Sequence, residues 1–165
     1  MRKISLYLSL VLLMFLNSCD VSDVPCLEDY VFDTAEVIDC DTVFSTDLLA
    51  GQTIPIGSVN VSVVDNDLLV NYTTTGDWVI DETHVYVGDC ADIPLSGGCN
   101  PQFGLFPFTM DHNPGVQSYT YIIPIASIDS CFCFIAHAAV SNPVTGDEET
   151  AIGNGDYDFP GNRWG

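Results

Sequence analysis

Basic charge is what this chain lacks most: 165 residues hold three Lys or Arg, namely Arg2, Lys3 and Arg163, against 23 Asp or Glu, a formal net charge of −20. A chain so poor in cations is repelled by phosphate backbones and anionic headgroups, which excludes nucleic-acid binding and electrostatic docking to membranes. Long apolar runs are also missing. The single hydrophobic stretch, residues 6–16, is well short of the roughly 20 residues that a membrane-spanning helix needs. No Gly-x-Ser-x-Gly, His-Glu-x-x-His, phosphate-loop or dinucleotide glycine pattern occurs, so the familiar hydrolase, metalloprotease and nucleotide signatures fail. Without a Cys-x-x-Cys or a closely spaced His pair, a zinc site is disfavoured too. No amphipathic helix of useful length follows residue 18.

What is present begins at the N-terminus. Arg2 and Lys3, the short apolar run and Leu16-Asn17-Ser18-Cys19 form a secretory signal ending in a bacterial lipobox. Residues 1–18 read as the signal peptide and Cys19 as the lipid-bearing first residue of the mature protein. Removing the signal leaves Arg163 alone against every acidic residue. The address is therefore the bacterial cell envelope, with attachment to the membrane through the acyl chains only, on the outer membrane and exposed at the surface.

Six further cysteines, Cys26, Cys40, Cys90, Cys99, Cys131 and Cys133, form an even set, as expected of disulfides in an exported chain. Cys90 and Cys99 bracket a Gly/Pro loop that one bond would close, and Cys26 with Cys40 would staple the N-terminal segment. Cys131 and Cys133 lie two apart in a strand and call for separate partners.

Residues 19–40 are acidic and aperiodic, and read as a tether. From residue 41 the pattern turns β-like. Val59, Val61 and Val63 alternate with Asn60 and Ser62, Asp65-Asn66 supplies a turn, and Leu68, Val70 and Tyr72 alternate again, which predicts a hairpin. The Asp65-Asn66-Asp67 trio is turn chemistry rather than a metal site. Further strands are expected at 78–80, 83–87, 119–125 and 132–140. A long Gly/Pro-punctuated connection separates residues 88 and 117, and the stretch from Asn142 onward reads as irregular. Short strands with turn signals predict one antiparallel β-sandwich domain over 41–165, with long Gly/Pro-rich loops.

The order of segments resembles a domain of unknown function found in exported and lipid-anchored proteins of Bacteroidetes-type bacteria. The resemblance rests on Leu49-Ala50-Gly51-Gln52, Thr83-His84-Val85-Tyr86-Val87-Gly88-Asp89-Cys90, Gly98-Cys99-Asn100-Pro101, Phe106-Pro107-Phe108, and the runs 119–124, 131–140 and 149–164. It covers 41–165 and implies a fold and a compartment, without a reaction. Ile152 departs from the Trp expected after Glu149-Thr150-Ala151, and a further strand is expected beyond Trp164. Either the chain is truncated there or its last edge is completed differently. Thr34 and Thr42, each in an Asp-Thr-aliphatic triplet, resemble O-glycosylation acceptors of such bacteria.

His84, His112 and His137 are scattered in sequence and read as structural, with a metal cluster or catalytic base as the alternative. Phe103, Phe106 and Phe108 crowd the long connection; buried, they pin it to the domain, and exposed, they would make a docking patch. The functional expectation is a binding or interaction module without catalytic activity, for an envelope protein or glycan, with no cofactor required. A calcium-dependent carbohydrate-recognition domain is the alternative, and a polysaccharide-acting enzyme with paired carboxylates is a more distant one. Candidate calcium ligands are Asn154, Asp156 and Asp158, with Asp147, Glu148 and Glu149 nearby. The Asn154-x-Asp156-x-Asp158 spacing opens like an EF-hand loop but lacks the Gly at the sixth place and the Glu at the twelfth.

Clustered carboxylates repel one another, and a bridging divalent ion stabilises by mass action. Millimolar calcium should therefore raise the melting temperature more than sodium at equal ionic strength, and the Asp156→Ala/Asp158→Ala variant should lose the difference. Equal shifts in both proteins would assign the loop to solvated acidic surface.

Overall fold

The computed structural model describes residues 44–128 and 132–155. Eight antiparallel strands run through them: β1 Phe44–Ala50, β2 Ile54–Val64, β3 Asp67–Thr74, β4 Val79–Gly88, β5 Phe108–Val116, β6 Ser118–Pro124, β7 Cys133–Asn142 and β8 Asp147–Gly153. They form one sheet in the order β5-β4-β7-β8-β1-β2-β3-β6. The all-β antiparallel expectation holds. The two ends of that order, β5 and β6, are joined in the chain by Gln117 alone, so the sheet curls until it is nearly a barrel. Ring contacts between the two ends, His112 with Tyr119 and Phe108 with Tyr121, mark where they meet.

The β2/β3 hairpin has the expected register, Val64 opposite Asp67, and Asp65 takes the left-handed conformation that its turn requires. β3 alternates strictly between half-buried and buried positions, and Leu68, Val70 and Tyr72 enter the core. Gly57 on β2 permits a close approach: a Cβ there would stand 1.9 Å from the Thr73 carbonyl oxygen. The expected strands at 78–80 and 83–87 are one element, β4, whose register slips between Ile80 and Glu82, so Asp81 forms a bulge.

Two regions differ from the sequence reading. The 88–117 connection is not all loop, because β5 occupies its second half in spite of Pro114 and Gly115. Pro is tolerated there because β5 ends the sheet order, where a missing N–H breaks no ladder on its outer side. The stretch after Asn142 is not irregular either, since β8 forms at Asp147–Gly153. Its acidic start has poor strand propensity, and pairing overrides it: β8 is held between β7 and β1. The preceding turn is fixed by Asn142 Oδ1, which accepts from the N–H groups of Val144 and Thr145 at 3.0 and 3.2 Å.

Between β4 and β5 the chain folds back as a cover over the outer face of β4 and β7. Its two short turns, Cys90–Asp92 and Phe103–Leu105, bring Ile93, Leu95, Phe103 and Phe106 down onto Tyr86 and Ile135 as a second, smaller core. Thr83 through Val87 and Ile135 through Ala138 are consequently buried on both faces of their strands. A Cys90–Cys133 disulfide pins the start of the cover to β7. This corrects the expected Cys90–Cys99 closure: Cys90 leaves β4 beside the first residue of β7, with the two Cα atoms 5.0 Å apart. Cys99 is likewise disulfide-bonded. The Cys90–Cys133 bond closes 43 residues of sequence, and loops of that kind contribute about 2–4 kcal/mol.

Candidate functional site

β4 brings the chemistry of this chain together. Its outward positions run Glu82, His84, Tyr86, and its inward positions run Thr83, Val85, Val87, so polar groups appear on both faces of one strand. On the outer face His84 lies directly opposite His137 of β7, and their Nδ1 atoms are 3.0 Å apart. Glu82 Oε1 lies 3.0 Å from His84 Nε2. Phe103, carried by the cover, stacks on the His137 ring at 3.8 Å between centroids and 11° between planes. The result is a line from a carboxylate at the solvent margin, through His84, to an imidazole beneath an aromatic lid.

His84 Nε2 donates to Glu82, and a single hydrogen lies between the Nδ1 atoms of His84 and His137. Burial holds the His137 pKa down to about 3, and the neighbouring His84 acts in the same direction. His137 is therefore a neutral ring at every ordinary pH.

A second network lies on the inner face. Thr83 Oγ1 contacts His112 Nε2 at 3.1 Å and the Tyr121 hydroxyl at 2.8 Å. The Tyr121 hydroxyl also stands 3.1 Å from the Thr83 carbonyl oxygen. From β3, the Tyr72 hydroxyl crosses the core to the His84 carbonyl oxygen at 3.1 Å, with that of His137 at 3.4 Å. Burial raises the pKa of Tyr72 well above the usual phenol value and that of Tyr121 to about 12, and it lowers that of His112. Tyr86 is also pushed up to about 12, by burial and then by Asp92 and Asp89. These phenols stay protonated and act as donors.

The three histidines that look scattered in sequence thus occupy adjacent networks on either side of β4. Tyr72 and Thr83 enter the sequence reading only as strand and motif residues, and Glu82 and Tyr121 are not singled out there. The available signal was the run from Thr83 to Val87, free of Asp, Glu, Lys and Arg, which suits a strand covered on both faces. The phenylalanines follow the buried reading: Phe106 is buried, Phe103 caps His137, and Phe108 packs against the main core.

The candidate calcium ligands divide. Asp147, Glu148 and Glu149 sit on β8, where alternation sends Glu148 to the face opposite its two neighbours. Asn154 is fixed by its backbone, donating to the Asp47 carbonyl at 2.8 Å and accepting from Thr46. Asp156 and Asp158 lie outside the described residues, as do Cys19, Cys26, Cys40, Cys131, Thr34 and Thr42. Among the described residues, no group of three or more His, Cys, Asp or Glu is placed to hold a metal ion. No described helix is long and apolar enough to cross a membrane. Glu82 and Asp111 are cross-strand neighbours, side by side on one sheet rather than facing across a cleft.

Comparison of the chain with family models, curated proteins and solved structures finds no match.

The His137 environment makes a pH prediction. An unfolded histidine takes up a proton near pH 6.5, whereas folded His137 resists until about pH 3, so stability falls as pH drops through that window. From pH 7 to 4.5 wild type should lose about 2 kcal/mol more than His137→Gln in urea unfolding. Parallel pH profiles would contradict the assignment of a neutral, buried ring.

Proposed function

We propose that this chain is a lipid-anchored binding or interaction module of the bacterial cell envelope, without catalytic activity, whose histidines and tyrosines fasten the fold. The supporting observation is where their polar atoms go. His84 and His137 bond each other beneath Phe103, His112 and Tyr121 converge on Thr83, and Tyr72 spans the core to backbone carbonyls. Groups that would act as bases or nucleophiles are spent on internal bonds, and burial keeps His137, Tyr121 and Tyr72 in their neutral forms. The lipobox at Cys19 and the resemblance to an exported domain support the compartment. The acidic tether from 19 to 40 would carry the domain away from a like-charged surface.

The anchor is tested in cells with a palmitate label. Wild type should carry the label on Cys19, partition with membranes and be trimmed by protease added to intact cells. Cys19→Ser should lose the label and leave the membrane fraction. Membrane-bound protein with an unacylated Cys19 would overturn the anchor.

A further inference from the structure

The acidic charge of this domain is distributed unequally over the curled sheet. β4, β5, β7 and β8 carry Asp81, Glu82, Asp111, Asp147, Glu148 and Glu149, whereas β1, β2, β3 and β6 carry only Asp47 and Asp67. No Lys or Arg lies anywhere among the described residues. The quiet side has its own pattern. Register places Asn60, Asn71 and Thr120 in one row across β2, β3 and β6, and Ser58, Thr73 and Ser118 in the next. All six point outward, because Val59, Val70, Tyr72 and Tyr121 between them fill the core.

Four of these side chains, Asn71, Thr73, Ser118 and Thr120, form one network, and Asn60 with Ser58 forms a separate pair. Asn71 Nδ2 donates to Thr120 at 2.8 Å and to Ser118 at 3.2 Å, Thr73 donates to Asn71 Oδ1 at 3.0 Å, and Asn60 donates to Ser58 at 3.2 Å. Each hydroxyl and amide retains further donors or lone pairs for a partner. The next row along the strands is partly apolar, Leu69 opposite Ile122, and Ile122 is 65% exposed. A fixed hydroxyl and amide strip thus lies beside a narrow apolar strip, with Asp47 at one margin and Asp67 and the turn residue Asp65 at another.

We propose that this face of β2, β3 and β6 is a docking surface for a neutral polysaccharide chain, a proposal that rests on the binding-module reading above and names its partner. The charge pattern selects the partner. An anionic polymer is repelled by the domain as a whole, and a cationic one is drawn to the acidic β4-β5-β7-β8 side, so a face whose few acids stand at its margins suits an uncharged ligand. A pyranose chain presents hydroxyl edges and C–H faces side by side, which matches the two strips. A protein partner, including a second copy of this chain, fits less well, since serine is depleted in protein interfaces and aromatic anchors are absent from these rows.

The test uses the full chain in detergent on an array of neutral and anionic glycans, with calcium chelated. Binding should be confined to neutral glycans and should persist in 0.5 M NaCl, because no charge pair contributes. Asn71→Ala/Thr120→Ala should weaken binding at least tenfold with an unchanged melting temperature, while Glu148→Ala on the acidic side should bind as wild type does. Binding only to anionic glycans, to none on the array, or equally by the Asn71/Thr120 variant would overturn the proposal. So would sedimentation showing a dimer that the same variant breaks, which would make a second copy the occupant. Each of these outcomes leaves the lipid anchor, read separately by palmitate labelling, standing or falling on its own result.

Discussion

Everything in this domain turns on neutral hydrogen bonds that cross the core from one half of the curled sheet to the other. The Tyr72 hydroxyl reaches from β3 to the carbonyl oxygen of His84, and the Tyr121 hydroxyl reaches from β6 to Thr83. Both bonds end on β4, the strand that also carries the His84–His137 contact on its outer face. A chain without Lys or Arg in its described domain has no cation to pair with a buried carboxylate. Its buried polar groups are hydroxyls, imidazoles and carbonyls, which cost far less to desolvate than ions and are satisfied by one another. No buried side-chain nitrogen or oxygen among the described residues is left without a partner.

Those bonds need the closure that Gln117 provides. Because β5 and β6 follow one another in the chain while pairing with opposite ends of the sheet, His112, Tyr119 and Tyr121 arrive at the seam together. The cover does the same on the outer face, where Phe103 and Phe106 seal what would otherwise be exposed imidazole and phenol. The Cys90–Cys133 bond fixes that cover to the strand it protects. The two faces of β4 are therefore built by segments far apart in sequence.

The hairpin at Asp65-Asn66 was legible because local alternation and turn chemistry agree there. β5 was hidden by Pro114 and Gly115, and β8 by its three consecutive acids, since both exist through long-range pairing that no window of sequence contains. The histidine pair was illegible for the same reason: His84 and His137 are 53 positions apart, and only the β4/β7 register sets them opposite. The Cys90–Cys133 pairing likewise depends on where β7 begins. Charge counts foretold acidity but not its partition between the two sides of the sheet, which depends on strand order.

The most direct test of this account is urea unfolding of Tyr72→Phe and of the Tyr72→Phe/Tyr121→Phe pair, which keep the rings and remove only the hydroxyls. The account predicts a loss of about 1 kcal/mol for the single variant and about 2–3 kcal/mol for the pair, since the Tyr121 hydroxyl contacts both the side chain and the carbonyl oxygen of Thr83. Phe variants as stable as wild type would show that ring burial alone joins the halves, and would contradict the claim that hydroxyl bonds across the core hold this fold together.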